Sequence, residues 1–327
     1  MKSAQKRKMD KIGRVVVIGG GTGLSVLLRG LKKYPIHLTA IVNVVDDGGS
    51  SGKLREALHI PPPGDVRNVL AALSDVEPLI EAMFQHRFHT GDGLEGHSLG
   101  NLLLAGMTDI TGDFRHAIRE LSRVLNVRGK VLPAANRSVV LQAQMDDGSV
   151  ISGESIIPKS GKRIKSLSLI PYDVEPLNEA ILEIRKADLI VIGPGSLYTS
   201  IIPNLLVKRL GIEIAHAIAK KIYICNVMTQ EGETIGYTAS DHVHAIYQHV
   251  PILKLDGIIV NNAPIPDGFL QKYREKYCGP VFIDQRDLKD LDLMIIEDEL
   301  LEFEGDLIRH NTKKLANILM GMLPKID

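Results

Sequence analysis

RVVVIGGGTGLSVLLRGL, residues 14–31, decides the fold. Val15, Val16, Val17 and Ile18 form a short β-branched run suited to a strand buried on both faces. Gly19-Gly20-Gly21-Thr22-Gly23 ends that run, and Leu24, Leu27, Leu28 and Leu31 then recur at helical spacing. A second apolar run, residues 36–45, supplies the next strand, so the unit reads β, glycine turn, α, β. Its strands should be parallel and its crossover right-handed. The fold class is therefore α/β: a Rossmann-like, mostly parallel sheet flanked by helices. Ligands of such sheets lie outside the carboxyl ends of the strands, where a glycine turn and a helix N-terminus can cradle phosphate oxygens. Gly20, Gly21, Thr22 and Gly23 are the candidates. The dinucleotide fingerprint G-x-G-x-x-G is not met, because Leu24 stands where its third glycine would fall, which counts against an NAD-dependent oxidoreductase.

The second strand runs into VNVVDDGGSSGKLREALHIPPPGDVRN, residues 42–68. Two adjacent carboxylates, Asp46 and Asp47, meet a turn through Gly48-Gly49-Ser50-Ser51-Gly52, with Lys53 and Arg55 just beyond. Carboxylates at a strand end, glycines that free backbone N–H groups and two nearby cations are suited to hold a metal ion or sugar hydroxyls beside a phosphate. The competing reading is a polar surface loop whose serines cap the next helix.

Further along, residues 66–73, 78–88 and 99–125 carry helical patterns, separated by a glycine-broken loop that contains His86, His89, His97, Ser98 and Asn101. His97 and Asn101 are site candidates at a helix start, against the plainer reading of Ser98 as an ordinary N-cap. The three histidines lack a fourth ligand for zinc. Residues 130–171 read as short antiparallel strands without an intervening helix, a β-rich insertion suited to an oligomer contact or a lid. The parallel pattern then resumes, and Gly193-Pro194-Gly195-Ser196-Leu197-Tyr198-Thr199-Ser200 is a third glycine turn entering a helix, with Gly195 and Ser196 as phosphate candidates. Asn226, Thr229, Asn261 and Asn262 fall at later strand ends, where they can bond a base or a sugar edge. Residues 281–283 read as one more short strand and 312–322 as a closing helix. No Ser/Thr/Gly linker divides the chain, so residues 13–327 read as one domain after a disordered basic tail, 1–12.

Lys plus Arg equals Asp plus Glu, 39 each in 327 residues, which argues against general nucleic-acid binding. The absence of Trp removes one stacking platform. No stretch is long and apolar enough for membrane insertion, and residues 15–18 are too short for a signal-peptide core. Cys225 and Cys278 form neither a disulfide framework nor a metal-ligand pattern, so a reducing cytoplasm is the natural setting.

GGGTGLS at 19–25, NVVDDGGSSGKLR at 43–55, PPPGDVRN at 61–68, GHSLGN at 96–101 and GPGSLYTSIIPN at 193–204 together resemble the gluconeogenesis factor family, the YvcK group of the CofD-like superfamily. The resemblance covers nearly the whole chain after the basic tail. For the superfamily it implies a nucleotide-diphosphate crevice and, in the transferases that make 2-phospho-L-lactate derivatives, a divalent metal such as magnesium near Asp46 and Asp47. For the gluconeogenesis factors it implies a cytoplasmic, UDP-sugar-binding protein needed for normal cell shape on gluconeogenic carbon. Such a protein would be read by a cell-wall or regulatory partner, and it could form a homo-oligomer. The loop at 42–68 adds Gly48, Ser50, Lys53 and Arg55 to the phosphate candidates, and the resemblance adds Tyr273 and Arg309 as polar positions near the C-terminal end. Two readings stay open: a UDP-sugar-binding regulator, and a metal-dependent transferase of a phospho-group from a nucleotide diphosphate to a small hydroxyl acceptor.

Overall fold

β1 (Arg14–Gly19) and β2 (His37–Val42) lie parallel and in register from Arg14 opposite His37 to Gly19 opposite Val42, with α1 (Gly21–Leu31) as the crossover. The structure is a computed structural model that describes residues 12–324 apart from 77 and 306. The expected basic tail therefore lies, except for Ile12, outside the described residues. After β2 come α2 (Gly49–Leu58), α3 (Gly64–Leu73), α4 (Pro78–Gln85), α5 (Leu99–Thr111) and α6 (Phe114–Val124). The later strands are β3 (Lys130–Pro133), β4 (Val140–Met145), β5 (Val150–Ser152), β6 (Ile164–Ile170), β7 (Leu189–Ile192), β8 (Lys220–Ile224), β9 (Gly257–Asn261), β10 (Met294–Asp298), β11 (Leu301–Glu304) and β12 (Leu307–His310).

Seven strands form one parallel sheet in the order β10-β9-β8-β7-β1-β2-β3. Alternation along β1 divides the core. Val15 and Val17 pack with Leu24, Leu27, Leu28 and Leu31 of α1, whereas Val16 and Ile18 join the opposite layer with Ile41, Ile190 and Ile192. Each such fully buried aliphatic side chain contributes roughly 1.5–3 kcal/mol relative to exposure, which explains why this segment has a single register. No helix among the described residues is long and apolar enough to cross a membrane.

The structure departs from the sequence reading in several places. Gly48 to Gly52 is not a free turn: Gly48 is the N-cap of α2, and the next four residues are its first turn. The apolar stretch 99–125 is two helices, broken at Gly112 and restarted by Asp113, whose carboxylate accepts the His116 amide at 2.9 Å. Residues 130–133 belong to the main sheet as β3, and only β4, β5 and β6 make the separate antiparallel sheet. Residues 281–283 form no strand; Phe282 makes an isolated bridge to Thr238. Edge strand β10, the β11–β12 hairpin and the helices Asp267–Arg274 and Gln285–Asp290 lack the clear period that marks the central elements.

The antiparallel sheet is seated on the α/β body at Gly232. This glycine has φ of +73°, and a Cβ there would lie 1.8 Å from the carbonyl oxygen of Pro158, in the turn between β5 and β6. Gly232→Ala would combine left-handed strain with a backbone clash. The expected outcome is a Tm lower by several degrees and faster amide exchange in β4–β6, measured by calorimetry and hydrogen–deuterium exchange; unchanged exchange there would show that the contact does not seat the module.

Candidate functional site

The strand order reverses at β1, which has β2 on one side and β7 on the other. That switch point leaves a crevice beyond the strand ends, between the loops that follow β1 and β7. A cavity of about 250 Å³ occupies it, lined by Gly20, Gly21, Thr22 and Gly23 from the first loop and by Gly195, Ser196 and Ser200 from the second. Asn226, Gln230, Tyr273, Arg309 and His310 close it.

The first loop is built for close approach. Gly20, the N-cap of α1, is fully extended and carries no side chain to cap the helix. A Cβ on it would lie 2.6 Å from Asp65 Oδ2 and 3.0 Å from Asn43 Cβ, so the loop sits directly against those residues. The Gly21 N–H donates to the Asp65 carboxylate, while the start of α1 borders the cavity and supplies the positive end of an eleven-residue helix.

The second loop differs from expectation. Its helical turn, Leu197–Ile201, is already capped from within: Glu233 accepts the Tyr198 and Thr199 amides at 2.9 and 3.3 Å and the Thr199 hydroxyl at 2.8 Å. The Tyr198 and Thr199 amides are therefore engaged by a buried carboxylate, whose pKa burial pushes up. Gly195 and Ser196 still face the cavity, and Gln230 Nε2 donates to Ser196 Oγ at 3.0 Å. The two loops are tied together by Asn204 Nδ2, which donates to the carbonyls of Gly19 at 3.1 Å and Ser200 at 2.8 Å. Asn43 Nδ2 adds a bond to the Thr199 carbonyl at 2.9 Å.

A small lid stands opposite. The β11–β12 hairpin packs on the helix Asp267–Arg274 through Phe269 and Phe303, with ring centroids 4.3 Å apart, and the Tyr273 hydroxyl accepts the Ile308 amide at 3.3 Å. Arg309 Nε and Asn226 Oδ1 are buried without a protein partner. His310 Nε2 lies 3.1 Å from the Cys225 carbonyl, and burial pushes the imidazole down to about 4, so it is neutral at pH 7. Among the described residues, no Asp, Glu, Lys or Cys lines the cavity, and Arg309 is its one permanent charge. Arg309 and Tyr273 are polar positions whose role no glycine motif announces.

The remaining sequence candidates lie outside this lining. Ser50 Oγ accepts Asn101 Nδ2 at 3.1 Å and the Ser98 amide at 3.3 Å, and lies 3.1 Å from His97 Nδ1; this buried cluster fastens α2 to α5. Lys53 is exposed, and Arg55 is half-buried with Nη1 unpartnered. Asn261 turns into its own loop, donating to the Ala263 carbonyl at 3.1 Å and accepting the Leu300 amide at 2.8 Å. Asp46 accepts the Gly48 amide at 3.0 Å, and Asp47 accepts the Ser155 amide at 2.8 Å.

Asp46 and Asp47 belong to a larger acidic group that sequence reasoning missed. Asp65, quoted within PPPGDVRN but not singled out, and Glu154, from the insertion, complete it. Burial, with Asp46 beside it, pushes Asp65 up to about 7. Burial and then the charges of Asp46, Asp65 and Asp47 push Glu154 up to about 8. No signal in the sequence could bring Glu154 there, since the fold alone sets its place. Among the described residues no three His, Cys, Asp or Glu side chains converge to hold a metal ion, so the carboxylates do not fit a metal cradle as they stand.

Comparison with known proteins places these features in context. The family model described as 2-phospho-L-lactate transferase CofD matches residues 15–301. The gluconeogenesis factor of Bacillus subtilis (strain 168) is 61% identical over 315 residues, spanning 96% of this chain and 99% of that protein. That of Listeria monocytogenes is 46% identical, with 97% and 98% covered. A crystal structure of a Bacillus halodurans protein, 59% identical, superposes with a TM-score of 0.93 over 95% of this chain and 100% of that one.

The acidic group makes stability depend on pH. A carboxyl whose folded pKa lies above its unfolded value contributes stability in full below the unfolded pKa and loses it as pH rises through the folded one. Asp65 and Glu154 should therefore weaken the fold between about pH 4 and pH 8. Glu154→Gln should stabilise the protein on the order of 1–2 kcal/mol at pH 8–9 and flatten the decline. Thermal melts of both proteins from pH 5 to 9 check this, and parallel curves would contradict it.

Proposed function

This chain belongs to the CofD family, in its gluconeogenesis factor branch, and we propose that its switch-point crevice binds a nucleotide-diphosphate sugar, UDP-N-acetylglucosamine or a close relative, as a signal rather than as a substrate. The observation that carries the reading is the character of the lining. It offers a helix N-terminus, an arginine with an unpartnered buried nitrogen, the imidazole of His310, and amide and hydroxyl groups, and among the described residues it carries no carboxylate, lysine or thiol. The diphosphate would lie between the start of α1 and Arg309. Asn226 and Gln230 would bond the sugar or base edges, and Tyr273 would hold the lid over them. Ligand binding would bias the lid position, which a regulatory or cell-wall partner reads in the cytoplasm to keep cell shape on gluconeogenic carbon.

One feature favours the transferase reading as the second. Asp65 bonds the first amide of α1 and has a raised pKa, so a carboxyl near its working range stands within one residue of the phosphate loop. On this reading the carboxyl group would receive the acceptor hydroxyl's proton.

Calorimetric titration with UDP-N-acetylglucosamine, UDP and GDP, with and without magnesium, followed by chromatography of the recovered nucleotide, separates the two. The sensor reading expects micromolar, stoichiometric binding of the UDP-sugar, recovered intact. Arg309→Ala should weaken it by more than about tenfold, equivalent to roughly 1.4 kcal/mol or more, without lowering Tm. Nucleotide consumption that disappears in Asp65→Asn would establish the transferase instead.

A further inference from the structure

The main sheet ends at β3, and the outer edge of that strand opens into a second cavity of about 630 Å³, between α6 and the helix Asn178–Lys186. The Ala134 amide bonds inward to the Val42 carbonyl at 2.8 Å. Since alternate residues of a strand turn their main-chain groups to opposite sides, Lys130 and Leu132 also face β2, whereas Gly129 and Val131 face outward. Val131 is only 6% exposed, and among the described residues no strand lies beyond β3 to meet its N–H and C=O. Leaving such groups unpaired is costly, and a pairing strand would satisfy them.

The walls state the chemistry of that strand. Five cations, Arg115, Arg119, Arg123, Lys130 and Lys186, line the groove against two carboxylates. Lys130 is held by Glu183 at 2.6 Å and Arg115 by Glu179 at 3.6 Å, while Arg119 and Arg123 share the single Glu120. The groove thus stays positive in a chain whose formal net charge is zero. Arg115, Arg119 and Arg123 are spaced four apart on α6, so they form a row with a repeat of about 6 Å. Every second side chain of an extended peptide repeats at about 6.6 Å, which matches that row. A second copy of this chain is a poor occupant, because a twofold pairing of β3 edges would set the same arginine rows against each other.

We propose that this groove receives an extended acidic segment of a partner protein as an eighth strand, bonded through its main chain to Gly129 and Val131 and through carboxylates at every second residue to the arginine row of α6. The site is distinct from the nucleotide crevice and does not depend on the function assigned to it.

Fluorescence anisotropy with a labelled octapeptide of alternating Glu and Thr, titrated with the full chain, tests this. The expected result is saturable binding that weakens by about tenfold or more in Arg119→Glu/Arg123→Glu, and likewise when alternate peptide amides are N-methylated; the Lys and Thr analogue should not bind. Thermal melts should show the variant folded. No saturable binding at millimolar protein would overturn the proposal. So would equal binding of the N-methylated peptide, which would mean a charge patch without strand addition. Sedimentation showing a dimer that Arg119→Glu disperses would overturn it too, because the groove would then be an interface between copies.

Discussion

Asn204 holds together the parts of this protein that matter most. One side-chain amide bridges the carbonyl that ends β1 and a carbonyl of the loop after β7, so the two strands that flank the switch point present their loops at a fixed separation. With Asn43 and Glu233 fastening the same loop from two further sides, the crevice is preformed, and a ligand need not spend binding energy on ordering it. The glycine at 23 follows from this constraint. The loops approach so closely that a Cβ at Gly23 would lie 3.0 Å from the Pro194 carbonyl oxygen.

Charge is sorted on either side of that framework. The cavity carries Arg309 and a neutral His310, while the carboxylates of Asp46, Asp47, Asp65 and Glu154 gather behind the first loop. An anion in the crevice thus meets a helix N-terminus and an arginine, with Asp65 bonded to the Gly21 amide from behind the loop. Glu233 has the same logic in reverse: a protein carboxylate takes the helical turn that a phosphate could otherwise have claimed. At α1 Asp65 takes only the Gly21 amide, so the amides of Thr22 and Gly23 make this helix start the main anion locus, and the second loop contributes hydroxyl and amide groups.

The central α/β layers were legible because buried parallel strands and amphipathic helices leave strong local periods: the valines of β1, the leucines of α1 and the glycines between them allow one arrangement. Residues 130–133 were assigned to the insertion because a four-residue strand carries too few positions to declare its sheet. The lid was missed for a related reason, since β10, β11 and β12 are half-exposed and alternate weakly. For the site, the loop at 20–23 follows from local sequence, whereas Glu154, Glu233 and Asn204 reach it only through contacts between segments far apart in the chain. Ser50 and Asn101 show the converse: residues in a conspicuous motif that the fold uses to pack α2 on α5.

A crystal structure of the protein with UDP-N-acetylglucosamine would show where the crevice holds the anion. The diphosphate should lie at the first turn of α1, bonded to the amides of Thr22 and Gly23 and to Arg309, while Asp65 keeps the Gly21 amide. Ligand density centred instead on Asp46, Asp65 and Glu154, or on the Glu233-capped turn, would contradict it.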